Sequence, residues 1–286
     1  MIPGLVAGPE RVGDHDVDDL GNRRYAQGCR GGPQLGGGEW GAVIARAACH
    51  PVGAGGTIPA AAALLRVLRG LRPNSRGASR RNISAHYDLG NELFRVFLDR
   101  NLMYSSAIFR DEAEPLEVAS ERKLERICAK LGLRPGMRVV EIGTGWGGFA
   151  LHAASRHGVH VTTTTISREQ HELAAARVRE AGLEQQVTLL MRDYRDLEGR
   201  YDKLVSVEMI EAVGWEWFDA YFRKCSQLLA PDGLFFLQAI VVDAAIYETE
   251  KRTRSFANEL IFPGGCLPSV EAIQSSIARC TDLRTL

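Results

Sequence analysis

The sequence carries no net charge: 35 basic side chains stand against 35 acidic ones in 286 residues. That balance removes the broad electrostatic pull that gathers proteins onto nucleic acid, so no nucleic-acid partner is expected. No uninterrupted apolar run is long enough to cross a bilayer, and the amino terminus carries acids where a leader would have a basic start and an apolar core. The six cysteines, at positions 29, 49, 128, 225, 266 and 280, form no C-x-x-C pair and no spacing that suggests zinc or a secreted disulfide framework. Reduced thiols in a cytoplasmic protein are the simpler account, and no metal site is expected.

What the sequence does have is one stretch around which the rest is organised, Val139-Val140-Glu141-Ile142-Gly143-Thr144-Gly145-Trp146-Gly147-Gly148-Phe149. An apolar β-branched run breaks into closely spaced glycines and resumes as Phe149 to Ala154, the pattern of a buried strand, a tight turn and a helix start. Such a turn lets a ligand approach the backbone at the carboxyl end of a sheet. Gly143-x-Gly145-x-x-Gly148 also satisfies the dinucleotide fingerprint, which wants an acid roughly 20 residues further on for the ribose. That acid is missing, because the next strand ends in Thr162-Thr163-Thr164-Thr165-Ile166-Ser167. Glu141 instead sits just before the first glycine. An acid inside the turn suits a ligand bearing an ammonium and a sulfonium better than one bearing phosphates, which favours S-adenosylmethionine. A tight turn with no ligand is the remaining reading.

Residues 1 to about 57 are glycine-rich and lack periodicity, so disorder or a poorly packed arm is expected. From Ile58 to Arg81 an alanine-leucine pattern interleaves with arginines, most clearly over residues 58–72. It reads as a helix packed on the domain by its apolar face or lying on anionic headgroups. We therefore divide the chain into an amino-terminal arm, 1–81, and a domain, 82–286. In the domain, Ser84 to Leu98 has helical spacing with His86, Tyr87 and Asp88 at its mouth, and the apolar, hydroxyl-rich loop Asn101 to Ala107 follows. Leu116 to Leu131 reads as a helix stopped by Gly132 and Pro135.

Beyond the glycine loop, strands are expected at 159–164, 187–191, 203–207 and 234–242, and helices at 167–181, 215–229 and 269–279. The alternation argues an α/β fold with a doubly wound, mostly parallel, Rossmann-like sheet. Ser167-Arg168-Glu169-Gln170 is a capping box. Asp193-Tyr194, just past the third strand, lies where an adenine can meet a carboxylate and a ring. The chain stops at Leu286 where a further strand is expected, so the sheet reads as lacking its last strands.

Seven ordered motifs from about Ile83 onward resemble the cyclopropane-fatty-acyl-phospholipid synthase family, including the mycolic acid cyclopropane synthases. They are His86-Tyr87-Asp88, Tyr104-Ser105-Ser106-Ala107, Glu141 to Gly148, Thr165 to Gln170, Asp193 to Asp196, Glu211-Ala212-Val213-Gly214 and Ile261 to Pro268. The resemblance implies a class I methyltransferase that moves the methyl of S-adenosylmethionine onto the cis double bond of an unsaturated fatty acyl lipid or carrier-bound acyl group, with contact to a membrane surface peripheral at most. It implies that Tyr104 and Ser105 touch the methionine end of the cofactor and that Val140, Glu141, Ile142, Gly143, Thr144, Gly145, Trp146, Gly147 and Gly148 wrap it. Thr165, Ile166, Ser167 and Gln170 would hold the ribose, and Asp193 and Tyr194 would flank adenine.

In the family a bound bicarbonate is the base, and there this sequence departs from the pattern. Ser106 stands for the family's cysteine, Glu211 keeps its glutamate, Ala212 replaces the histidine that follows, Gln238 replaces a second histidine, and Ile240 matches an isoleucine. These replacements resemble a branch of the family that makes methylene- or methyl-branched chains. A copy that binds cofactor or lipid without turnover is a further alternative.

Overall fold

The computed structural model describes residues 91–253 and 264–286 and the backbone of 44–46. The expected basic helix at 58–72, the His86-Tyr87-Asp88 motif and Ile261-Phe262-Pro263 lie outside the described residues. In chain order the structure has β1 (Ile44–Arg46), α1 (Asn91–Phe97), α2 (Leu116–Leu131), β2 (Arg138–Ile142), α3 (Gly148–His157), β3 (His160–Thr165) and α4 (Arg168–Glu180). These are followed by β4 (Val187–Met191), β5 (Tyr201–Val207), α5 (Phe218–Leu228), β6 (Leu229–Val241), α6 (Ala244–Glu250) and α7 (Val270–Cys280).

The strands form one parallel sheet in the order β1-β6-β5-β2-β3-β4. Strands β2, β3 and β4 step outward to one side, then the chain returns to place β5 against the other side of β2. The strand order therefore reverses at β2/β5, and the crevice at the carboxyl ends of those two parallel strands is where an open α/β sheet receives ligands. Short β1 pairs with Ala239 to Val241 at the sheet edge, a strand that the aperiodic arm did not advertise.

Both faces of the sheet are covered, as consecutive strand residues show. Val139 packs with Leu124, Ile127, Phe149 and Ala153 on one side, whereas Val140 packs with Leu204, Phe218, Tyr221 and Phe222 on the other. A parallel strand buried on both sides needs apolar residues at successive positions, and the Val139-Val140 pair supplies them. Burying each large apolar side chain contributes roughly 1.5–3 kcal/mol.

The local signals place the helix ends well. Gly132 closes α2 in the left-handed region at φ 60°, and Ser167 and Ser269 cap α4 and α7 through their side chains. Two boundaries differ from expectation. Helix α5 begins at Phe218 after a 3-10 turn over Trp215–Trp217, and β6 begins at Leu229, with Pro231 and Gly233 inside a register shift against β5. Proline and glycine punctuate a strand at such an irregularity without ending it.

Candidate active site

The glycine loop joins β2 to α3, and its glycines serve different ends. Gly145 sits at φ +52°, and a Cβ there would meet nothing within 4 Å. This is the open approach that a ligand needs. At Gly148 a Cβ would lie 2.4 Å from Met103 Sδ and 2.8 Å from the Asn101 carbonyl, so that glycine lets the 101–106 segment pack against the helix start. Above Gly143, Met209 stands 3.1 Å from where a Cβ would be, which brings the turn after β5 against the glycine loop. The loop thus adjoins both segments that carry the rest of the site.

Glu141 does not project into open solvent. It is 4 % exposed and accepts a 2.6 Å hydrogen bond from Thr163, whose hydroxyl is 2.7 Å from that of Thr144. Burial pushes its carboxyl up to about 8, against the opposing hydrogen bond from Thr163. Val140 and Ile142 are core residues. Trp146 is buried too: its indole donates to Asn91 at 2.7 Å and lies 4.7 Å from the Phe94 ring at a 49° tilt, while its carbonyl accepts from Arg177. These side chains support the loop from behind and leave the Cβ position of Gly145 open.

The Thr165 to Gln170 segment follows β3. Ser167 Oγ accepts from the Gln170 N–H, one half of the capping box. The other half runs through a relay in which the Ser167 N–H donates to Thr165 Oγ1, which donates to Gln170 Oε1 at 2.9 Å. Ile166 is half-buried between them. Asp193 and Tyr194 stand beyond β4, beside the end of β3 by the pairing of Thr165 with Met191. Both Asp193 oxygens are engaged by Arg195, whose guanidinium also lies 5.5 Å from the Tyr194 ring.

The second half of the site is built from distant segments. Ser106 donates to Glu208 Oε1 through both its N–H and its hydroxyl, each at 3.0 Å, and Gln238 Nε2 donates to the same oxygen at 2.8 Å and to Ser106 Oγ at 3.0 Å. Glu208 is one of two described non-glycine residues with positive φ, at 48°. Holding it there costs about 1–3 kcal/mol. The bend turns its carboxyl from the end of β5 toward the 104–106 loop.

Glu211, one 3-10 turn further on, accepts from the Ile240 N–H through Oε1, while its Oε2 is buried without a hydrogen-bond partner among the described residues. Burial first, and the nearby Glu208 last, push its carboxyl up to about 8. Beneath the loop, Lys123 is 1 % exposed and donates to Ser105. Burial brings its ammonium down to about 8 even though Glu208 and Asp99 favour the charge. Tyr104 lies against Phe94, and its hydroxyl is pushed up by burial and then by Glu208.

Of the expected catalytic set, Ser106 and Gln238 are thus brought together, with Glu211 and Ile240 paired beside them. Glu208 and Lys123 were missed. Glu208 was legible as an acid one residue past an expected strand end. Lys123 was legible as the lone cation on the apolar stripe Ala119, Leu124, Ile127 and Leu131.

Comparison with known proteins gives consistent results. The family described as mycolic acid cyclopropane synthetase matches residues 74–284. The tuberculostearic acid methyltransferase UfaA1 of Mycobacterium tuberculosis is 43% identical over 218 residues, 74% of this chain and 51% of that protein. The cyclopropane-fatty-acyl-phospholipid synthase of Escherichia coli is 46% identical over 191 residues, 67% of this chain and 48% of that protein. The chain therefore spans about half the length of these curated relatives. Among solved structures, the mycolic acid cyclopropane synthase CmaA1 complexed with SAH and CTAB superposes with a TM-score of 0.65 at 32% identity, covering 70% of this chain and 73% of that one. The cyclopropane synthase MmaA2 from Mycobacterium tuberculosis gives 0.64 at 28% identity, covering 70% and 74%.

Proposed function

The chain belongs to the mycolic acid cyclopropane synthetase family, and from that premise we propose that it transfers the methyl group of S-adenosylmethionine to the cis double bond of an unsaturated fatty acyl chain. The carrying observation is the pairing, in one switch-point crevice, of a glycine loop open at Gly145 with the Ser106–Glu208–Gln238 cluster. The loop suits the donor because a Cβ at Gly145 would meet nothing within 4 Å, while Glu141, buried and holding its proton near neutrality, supports the loop through Thr163. When bound, the donor supplies an electrophilic methyl. Gly145, Thr165 to Gln170 and Asp193-Tyr194 would hold it, with Tyr104 and Ser105 at the reacting end.

The chain's own work follows from the chemistry of an alkene, a weak nucleophile. Positioning it in line with the methyl supplies several kcal/mol. Forming the carbon–carbon bond leaves a cation on the acyl chain, which then loses a proton. A nearby anion and exclusion of water favour both events. In this reading Glu208 is the anion and the base. Three donors from Ser106 and Gln238 fix one of its oxygens, occupying the groups that the family resemblance would have turned toward bicarbonate. Glu211, which holds its proton near neutrality, keeps the pocket from carrying two adjacent negative charges.

Two products fit this machinery. Loss of a proton with ring closure gives the cyclopropane. A hydride shift before proton loss gives a methylene branch, and reduction of that branch by a separate hydride donor gives a methyl branch. The branched product is favoured by a protein carboxylate at the base position and by the similarity to a tuberculostearic acid methyltransferase. Lipid extracts of cells expressing the protein should contain acyl chains heavier than their precursor by one CH2, or by CH2 and two hydrogens where the branch has been reduced. Proton NMR separates ring methylene, exocyclic methylene and branch methyl, and absence of all three overturns the reading.

A further inference from the structure

Away from the crevice, four side chains with metal-binding chemistry converge where α2 packs on α3. Glu125 and Cys128 are one turn apart on α2, and His152 and His157 are contributed by α3. A sulfur or nitrogen from each of Cys128, His152 and His157 lies within 4.8 Å of the others. Glu125 Oε2 meets His152 Nε2 at 3.1 Å and His157 Nε2 at 3.2 Å. Ligand atoms around a tetrahedral zinc ion, bonded at about 2.0–2.3 Å, stand roughly 3.3–3.8 Å from one another. The donors of Cys128, His152 and His157 have to close by at most about 1.5 Å pairwise, which rotamer adjustments on the two helices can deliver.

We propose that Cys128, His152 and His157 form a binding site for one zinc-class divalent ion, pinning α2 to the helix that begins at the glycine loop, with Glu125 hydrogen-bonded to both imidazoles at its mouth. Sulfur and two imidazoles are three of the donors that zinc favours, and the fourth position is left to a water. The thiol releases its proton on coordination and each neutral imidazole binds through one nitrogen. Cys128 is fully buried, while His152 and His157 are 12% and 19% exposed and Glu125 is 55% exposed, which leaves an entry path from the carboxylate side. Sequence spacing gave no hint because only one ligand is a cysteine and the three come from two helices. None of these residues takes part in the methyl-transfer reading.

The test is cobalt titration of the chelator-stripped full chain, followed in the near ultraviolet for the thiolate-to-cobalt band and in the visible for four-coordinate geometry, with thermal melting in zinc alongside. The expected result is a band saturating at one equivalent, displaced by zinc, and a rise in Tm with zinc. Cys128→Ser should abolish the thiolate band. Because that cysteine is buried, His157→Ala, at the exposed side, provides the second arm: it should lose the zinc-induced rise in Tm while melting as wild type does without metal. No band in wild type, or a band and Tm rise that persist in this variant, overturns the proposal and leaves Glu125 as a hydrogen-bonded bridge between two histidines.

Discussion

The two halves of the crevice are made in opposite ways. The donor half is contiguous: β2, five loop residues and the start of α3 carry the open space, and Thr165 to Gln170 adds a neighbouring strand end. The base half comes from three separated segments, Ser106 from a loop, Glu208 from the end of β5 and Gln238 from β6, and its parts meet only through the sheet. A contiguous half is limited by backbone conformation. An assembled half is limited by the registration of elements far apart in sequence.

That contrast can be broken from either side. Gly145→Val puts a β-branched residue at φ +52° and fills the space beside it, so binding of S-adenosylmethionine should vanish in calorimetry. Retained heat would remove the loop from the donor site. Glu208→Gln should leave that heat intact and lower product formation on lipid vesicles by about 10²–10⁴-fold, the usual contribution of a positioned base. Glu211→Gln should also reduce product with donor affinity kept, and by less, because it preserves the neutral state that burial already imposes. Equal turnover in both variants and wild type would sink the assignment of the base half.

A smaller effect sharpens the comparison through pH. Glu141 in the donor half and Glu211 in the base half both have carboxyls raised to about 8 by burial. Each folded group binds a proton that the unfolded chain has released. Stability therefore falls as pH rises from the ordinary carboxylate range to about 8, by at most about 1.4 kcal/mol per pH unit for each group. Glu141→Gln and Glu211→Gln should each flatten the dependence of Tm on pH over that window, and an unchanged slope would mean the group is solvated. Smallest of all, Ser167→Ala should cost about 1 kcal/mol by removing the cap of α4. A larger loss, in donor affinity as well as Tm, would show that the Ser167–Thr165–Gln170 relay serves the ligand too.

Legibility in the sequence follows the same division. The Val139 to Ala154 pattern, the Gly132 stop, the Ser167 cap and the helix start near Ser269 are local, and the structure keeps them within a residue or two. The start of α5 was misplaced because Trp215 to Trp217 has helical spacing but winds as a 3-10 turn. Trp146 and Asp193 belong to the set expected at the cofactor, and their protein contacts, Trp146 with the Phe94 cluster and Asp193 with Arg195, come from partners 52 residues and two residues away.

By itself the sequence determined the alternation of strands and helices, the turn that can open to a ligand and the family. Periodicity, glycine placement and helix caps act within a few residues of themselves. Only the tertiary structure decided that Glu208 shares its oxygen with Ser106 and Gln238, that Glu211 is buried with one oxygen unpartnered among the described residues, and that Cys128, His152 and His157 meet. Strand order and helix packing set those distances, and the burial they impose shifts the protonation of Glu141, Glu211 and Lys123.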